Sequence, residues 1–178
     1  MYNKFEEVRL VYKNRTKAED RPKITSAGKA FEILRSSWNE DQISLVEEAK
    51  VMFLDNQLRL MSISTISKGG MTGTVIDPRI VFAMALKRRS SSLILAHNHP
   101  SGNLRPSQAD ISLTKKFSEA GKLLDITISD HIIITDEGYY SMANEGHILS
   151  FKFPPPEVAM ENKSSWQFFC PRIKVLLL

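Results

Sequence analysis

Cysteine is almost missing from this chain: Cys170 is the one thiol in 178 residues. An internal disulfide framework is therefore excluded, and a reducing compartment fits. No apolar run approaches the length that a bilayer-spanning helix needs. The opening MYNKFEEVRL also lacks the basic-then-apolar layout of a secretory leader. These absences lead to the expectation of a cytoplasmic protein that does not engage membranes. Blocks of one charge are scarce as well. Lys and Arg number 24 against 20 Asp and Glu, a net charge of +4, with a pI near 9.2. That balance permits weak association with DNA without demanding it. The tightest basic cluster, Lys87-Arg88-Arg89, falls at the end of a predicted helix, where cations suit the negative end of the dipole. A solvated helix end is the better reading there than a phosphate-binding patch.

What is present is ordinary for one globular domain with extra length at its ends. Apolar residues make up 42% and charged residues 25%. Residues 1–43 read as an extension: an edge strand in FEEVRLVYKN, a polar turn, then a short amphipathic helix in SAGKAFEILRSSW. That helix would turn Ala30, Phe31, Ile33, Leu34 and Trp38 toward a core. Residues 44–150 alternate strand and helix. EEAKVMFLD and LRLMSISTIS read as a hairpin around Asp55-Asn56. DPRIVFAMALKRR reads as a helix capped by Asp77, with Pro78 at its first position. SSLILAHNH is a strand without charge ahead of its histidines, hence central, and PSQADISLTKKFSEAGKLL is a helix closing near Gly121. DITISDHIIITDEGYYSM adds strands and a turn at Asp136-Glu137-Gly138. The expected class is α/β (α+β), a mixed sheet flanked by helices. Residues 151–178 form a tail in which a triple proline ends regular structure. Its apolar end reads as a segment docking on the domain or on a partner, or as the product of a shifted frame or truncation. Nothing in the sequence specifies an oligomeric state.

Four histidines occur in the chain, and two stand one residue apart in LILAHNHPSGNLRPSQAD. Residues i and i+2 of a strand share a face, so His97 and His99 project together, with Asn98 opposite. Pro100 ends the strand, a Gly-containing loop turns the chain, and Asp110 returns in the first turn of the next helix. Two imidazoles and a carboxylate can make a three-ligand zinc site whose fourth position is left to water, as in catalytic centres. The plainer readings are hydrogen-bonded strand-end histidines, and a capping box formed by Ser107 and Asp110.

The string H-x-H-x7-S-x2-D is the pattern of the JAMM (JAB, MPN-plus) metalloproteases. ILAHNHPSGNLRPSQAD, LTKKFSEAGKLLDITISDHIIIT, VMFLDNQLRL and GTVIDPRIVFAMALKRRSSSLILAHNHPSG resemble the bacterial RadC-like branch, over about Ser44 to Leu149. The resemblance implies a JAB/MPN fold, related in shape to cytidine deaminases, and a zinc-dependent peptidase or isopeptidase acting on a peptide or protein. By the same resemblance His97, His99 and Asp110 are zinc ligands, and Ser107 helps hold a developing oxyanion or the zinc-bound water. An upstream glutamate is needed as general acid/base, with Glu47 and Glu48 as the candidates. Glu47 shares a face with Ala49, Val51 and Phe53, whereas Glu48 shares one with Lys50, which suits a helix-covered face badly. The family's glutamate also aligns with Glu47.

Asp130-His131 matches the family's look, and reads equally as a partner that orients a ligand histidine or as a satisfied buried pair. His147 reads as surface and Cys170 as inert. RadC proteins are named as DNA repair proteins, many with a helix-hairpin-helix module, but the first 45 or so residues lack its glycine-centred turns. The rival reading is a DNA-associated accessory protein with a structural or vestigial metal site. A deaminase-like enzyme is weaker still, because the P-C-x-x-C zinc signature is missing.

Overall fold

Two strands that are apolar on both faces demand cover on both sides. VMFL in the first and LILA in the third are fully buried, and the fold supplies helices above and below them. The computed structural model describes residues 16–69, 76–148 and 153. After a 3-10 turn at Ala18–Asp20, the order is α1 (Ala27–Arg35), β1 (Glu48–Leu54), β2 (Leu60–Lys68), α2 (Pro78–Arg88), β3 (Ser92–Asn98), α3 (Gln108–Leu123), β4 (Thr127–Ile134) and β5 (Tyr139–Ser141). The strands form one sheet in the order β2-β1-β3-β4-β5. Only β3 and β4 are parallel, with α3 as their crossover; the other neighbours are antiparallel. This is the expected mixed sheet, with β3 at its centre.

One face carries Val51, Phe53, Leu93 and Leu95 against Val81, Phe82 and Ala85 of α2 and Phe117 of α3. The opposite face carries Met52, Leu54, Ile94, Ala96 and Ile132 against Ala30 and Leu34 of α1, with Ile24, Trp38 and Ile43 completing the layer. Phe31 and Ile33 are only partly buried at its margin. The β1–β2 hairpin forms as expected. Its turn is held by the Asp55 carboxylate, which accepts from the amides of Gln57 (2.9 Å) and Arg59 (3.0 Å). Asp77 caps α2 by accepting from the Arg79 amide, with Pro78 in the first turn.

The third helix closes near Gly121, as expected, with Leu123 rather than the glycine as its last residue. Gly121 is required for another reason: a Cβ there would sit 2.3 Å from the Ile126 carbonyl oxygen, so the glycine lets α3 lie against the start of β4. The left-handed residue that turns the chain is Asp125, at φ 54°. One expectation needs correction: the basic helix end is not simply solvated. Arg88 stacks over Phe53 at 5.0 Å and donates to Ser62 and Ser64 of β2. The expected edge strand at residues 5–14, the C-terminal tail apart from Phe153, and Cys170 lie outside the described residues.

Candidate metal centre

β3 ends with histidines because its ladder ends there. The His99 amide still donates to the Ile134 carbonyl (2.9 Å), Pro100 cannot continue the pattern, and the chain turns through Gly102, at φ 77°. The loop delivers Ser107 as the N-cap of α3. A full capping box forms there: the Ser107 hydroxyl accepts from the Asp110 amide (3.2 Å), and the Asp110 Oδ2 accepts from the Ser107 amide (2.7 Å). Sequence reasoning set the box against metal ligation, yet the carboxylate divides its oxygens. While Oδ2 closes the box, Oδ1 lies 3.3 Å from His97 Nε2. Oδ2 is also 3.9 Å from His99 Nε2.

The two imidazoles meet at Nε2, 2.9 Å apart. One ligand atom from each of His97, His99 and Asp110 falls within 4.8 Å of the others. His99 Nδ1 donates to the Asn103 carbonyl (2.5 Å), so its Nε2 turns a lone pair inward. Ligand atoms around a tetrahedral zinc lie about 3.3 Å apart; His97 Nε2 stands 2.9 Å from His99 Nε2 and 3.3 Å from Asp110 Oδ1, close to that figure. The donor set therefore fits a divalent cation.

Electrostatics agree. Burial drives the His97 imidazole down to about 4, against the pull of Asp110 and with help from His99. At neutral pH the ring is thus uncharged, the state a metal ligand needs. Its approach to Asp110 is then a carboxylate beside a neutral ring rather than an ion pair. Burial pushes the Asp110 carboxyl upward, but His97 and the Ser107 hydroxyl and amide outweigh it and hold the group below its ordinary range.

The remaining polar residues divide by face. His131 is fully buried, and its Nε2 lies 2.9 Å from His97 Nδ1. Burial, reinforced by His97, lowers it to about 3. Asp130 takes other partners, accepting from the His131 amide (2.7 Å), the Ala143 amide (2.9 Å) and the Ser141 hydroxyl (2.6 Å). The pair therefore splits: the ring lies against the site, and the carboxylate ties β4 to the end of β5 and the residues that follow it. His147 is exposed, near the Tyr140 hydroxyl.

Ala49 pairs with His97 across the sheet, and Glu47 stands two residues ahead of it, just before β1 begins. Glu48 accepts from Thr65 (2.9 Å) and lies 3.4 Å from Lys50 Nζ. The premise that a lysine suits a helix-covered face badly does not hold. Lys50 is 5% exposed, donates to the Ser37 carbonyl (2.6 Å) and sits over the Trp38 ring at 4.6 Å.

Two residues were missed, Thr114 and Asn98. Thr114 follows Asp110 by one helical turn, a spacing that puts both on one face of α3. Asn98 was legible only as an uncharged polar residue locked between two histidines.

A helix-flanked mixed sheet that offers two imidazoles and a carboxylate from a strand end and a helix start defines an α/β domain with a candidate metal centre. The chain belongs to the RadC-like JAB domain family, whose model matches residues 24–147. Among curated relatives, a UPF0758 protein of Flavobacterium johnsoniae is 47% identical over 135 residues, covering 74% of this chain and 58% of that protein. A UPF0758 protein of Methanococcoides burtonii is 39% identical over 126 residues, covering 71% and 54%. One of Porphyromonas gingivalis is 43% identical over 101 residues, covering 56% and 44%. The chain thus spans roughly half the length of the relatives it matches. Among the described residues, no helix is long and apolar enough to cross a membrane.

Proposed function

We propose that this domain is a zinc-dependent amide-bond hydrolase, a metallopeptidase or isopeptidase acting on a peptide or protein. The observation that carries the reading is the convergence of His97, His99 and Asp110, each offering a ligand atom within 4.8 Å of the others. When bound, zinc would supply a lowered pKa for water and polarisation of a substrate carbonyl. Glu47 is the proposed general base: standing two residues before Ala49, the cross-strand partner of His97, it would take the proton from the attacking water at its carboxylate and return it to the leaving amine. Ser107 would give a hydrogen bond to the carbonyl oxygen as it gains charge. Its hydroxyl now donates to Asp110 Oδ2 (2.6 Å), so that role requires exchanging one acceptor for another.

The test is metal analysis of the purified chain joined to turnover of peptide and isopeptide-linked substrates. Stoichiometric zinc, hydrolysis and the loss of both in His97→Ala are expected. A folded protein that takes up no zinc at neutral pH ends the reading. Salt-dependent DNA binding that survives His97→Ala would point instead to the accessory role. Against that alternative, Arg88 of the basic cluster is already engaged with Phe53 and β2.

A further inference from the structure

A histidine can ligate only through a nitrogen that carries no proton, and which nitrogen that is depends on the bond made by the other. At His97 the other nitrogen, Nδ1, faces His131 Nε2 at 2.9 Å. Unlike the Nε2 pair, on which the Asp110 carboxylate converges to complete a group that could hold an ion, this pair of nitrogens is bridged by a single proton, so one ring donates and the other accepts. The geometry alone does not say which.

The answer comes from the far side of His131. Its Nδ1 lies 2.6 Å from the Thr114 hydroxyl. That hydroxyl owns one proton and has three neighbours: His131 Nδ1, the Asp110 main-chain carbonyl at 2.7 Å and the Met142 sulfur at 3.4 Å. The thioether is a weak acceptor. The carbonyl is a strong acceptor with no donor character, so a hydroxyl this close donates to it. Thr114 Oγ1 must then accept from His131 Nδ1–H. His131 has no exposed surface and meets a hydroxyl rather than a carboxylate at Nδ1, so the ring stays neutral. Its Nε2 is therefore a lone pair, and the proton between the rings belongs to His97 Nδ1.

We propose that Thr114 and His131 are positioning residues that fix His97 in its Nδ1–H form, presenting the Nε2 lone pair to the metal centre before an ion arrives. This deepens, and rests on, the metal-centre reading above. The relay begins and ends on one residue. The Asp110 carbonyl accepts from Thr114, Thr114 accepts from His131, His131 accepts from His97, and the far nitrogen of His97 faces the Asp110 carboxylate at 3.3 Å. The first turn of α3 thereby sets both a ligand and the tautomer of its neighbour.

The test uses the full chain, stripped of metal and labelled with nitrogen-15. Long-range proton–nitrogen correlation spectra distinguish Nδ1–H from Nε2–H imidazoles. His97 and His131 are both expected as Nδ1–H. Thr114→Val keeps the side-chain shape but removes the acceptor for His131. It is expected to shift the two rings toward Nε2–H and to weaken zinc affinity by about 10–100-fold, measured with zinc alone against a competing chelator. Thr114→Ser, which keeps the hydroxyl, restores both. An Nε2–H tautomer for His97 in the unsubstituted chain overturns the proposal without any variant having to fold. Unchanged tautomers and unchanged zinc affinity in folded Thr114→Val overturn it too. If the tautomers are as expected but the unsubstituted chain binds no zinc, the relay stands and the metal-centre reading falls.

Discussion

Adjacent residues on β3 face two kinds of polar surroundings. On one side, His97 and His99 turn nitrogen lone pairs and Asp110 an oxygen toward a common point. On the other, Asn98 is completely spoken for. Its Oδ1 accepts from the Trp38 indole (3.1 Å) and the Glu48 amide (2.7 Å), while its Nδ2 donates to the carbonyls of Ile43 (2.6 Å) and Val46 (2.9 Å). Four bonds exhaust what a carboxamide can make. Asn98 and His97 are equally buried, at 0% and 2% exposed, so burial does not separate a structural polar group from a chemical one. The separation lies in what faces each group: matched donors and acceptors from the chain close the account at Asn98, whereas acceptor facing acceptor at the histidines calls for a cation.

That contrast can be broken or sharpened experimentally. The largest stability loss is expected for Asn98→Ala, which strands two donors and two carbonyls in the core. At about 1–3 kcal/mol for each unsatisfied group, partly offset by relaxation, a loss of about 3 kcal/mol or more should appear as a drop in urea midpoint. His99→Ala should do the reverse, abolishing stoichiometric zinc uptake while moving that midpoint far less. Gly121→Ala drives a methyl into the Ile126 carbonyl and should cost about 1–3 kcal/mol through displacement of α3. A smaller effect is expected at Asp130. Burial raises its carboxyl above the ordinary value of 3.8, although Ser141 and the amides of Ala143 and His131 oppose the rise. A raised folded value means that its contribution is present below the unfolded value and lost as pH climbs through the folded one. Asp130→Asn should therefore flatten the pH dependence of the urea midpoint just above the usual carboxylate range. Smallest is Ser26→Ala, which removes the bond from the Lys29 amide (3.1 Å) at the start of α1 and should cost about 1 kcal/mol in thermal unfolding.

The sheet and its helices were readable because their signals are local. Charge-free apolar runs marked β1 and β3, and Asp77-Pro78 and Ser107 marked helix starts. The three converging side chains followed from the two-residue period of a strand and one short loop. What escaped reading depends on pairing between distant segments. Lys50 looks unsuited to a covered face until Trp38 and the Ser37 carbonyl are brought over it. Gly121 reads as a helix stop because its true constraint, the Ile126 carbonyl, lies across a turn. Thr114 is an unremarkable helix residue until β4 sets His131 beside it.

The carboxamide on the histidine strand grips Val46 by its carbonyl and Glu48 by its amide, the residues on either side of Glu47. The segment bearing that acid is thus riveted at both flanks to the strand that bears the imidazoles. As the proposed general base, Glu47 would carry its proton from a main chain held on both sides, with rotation about its own side-chain bonds as its chief freedom. On that proposal a substrate would have to come to the acid, rather than the acid swing toward the substrate.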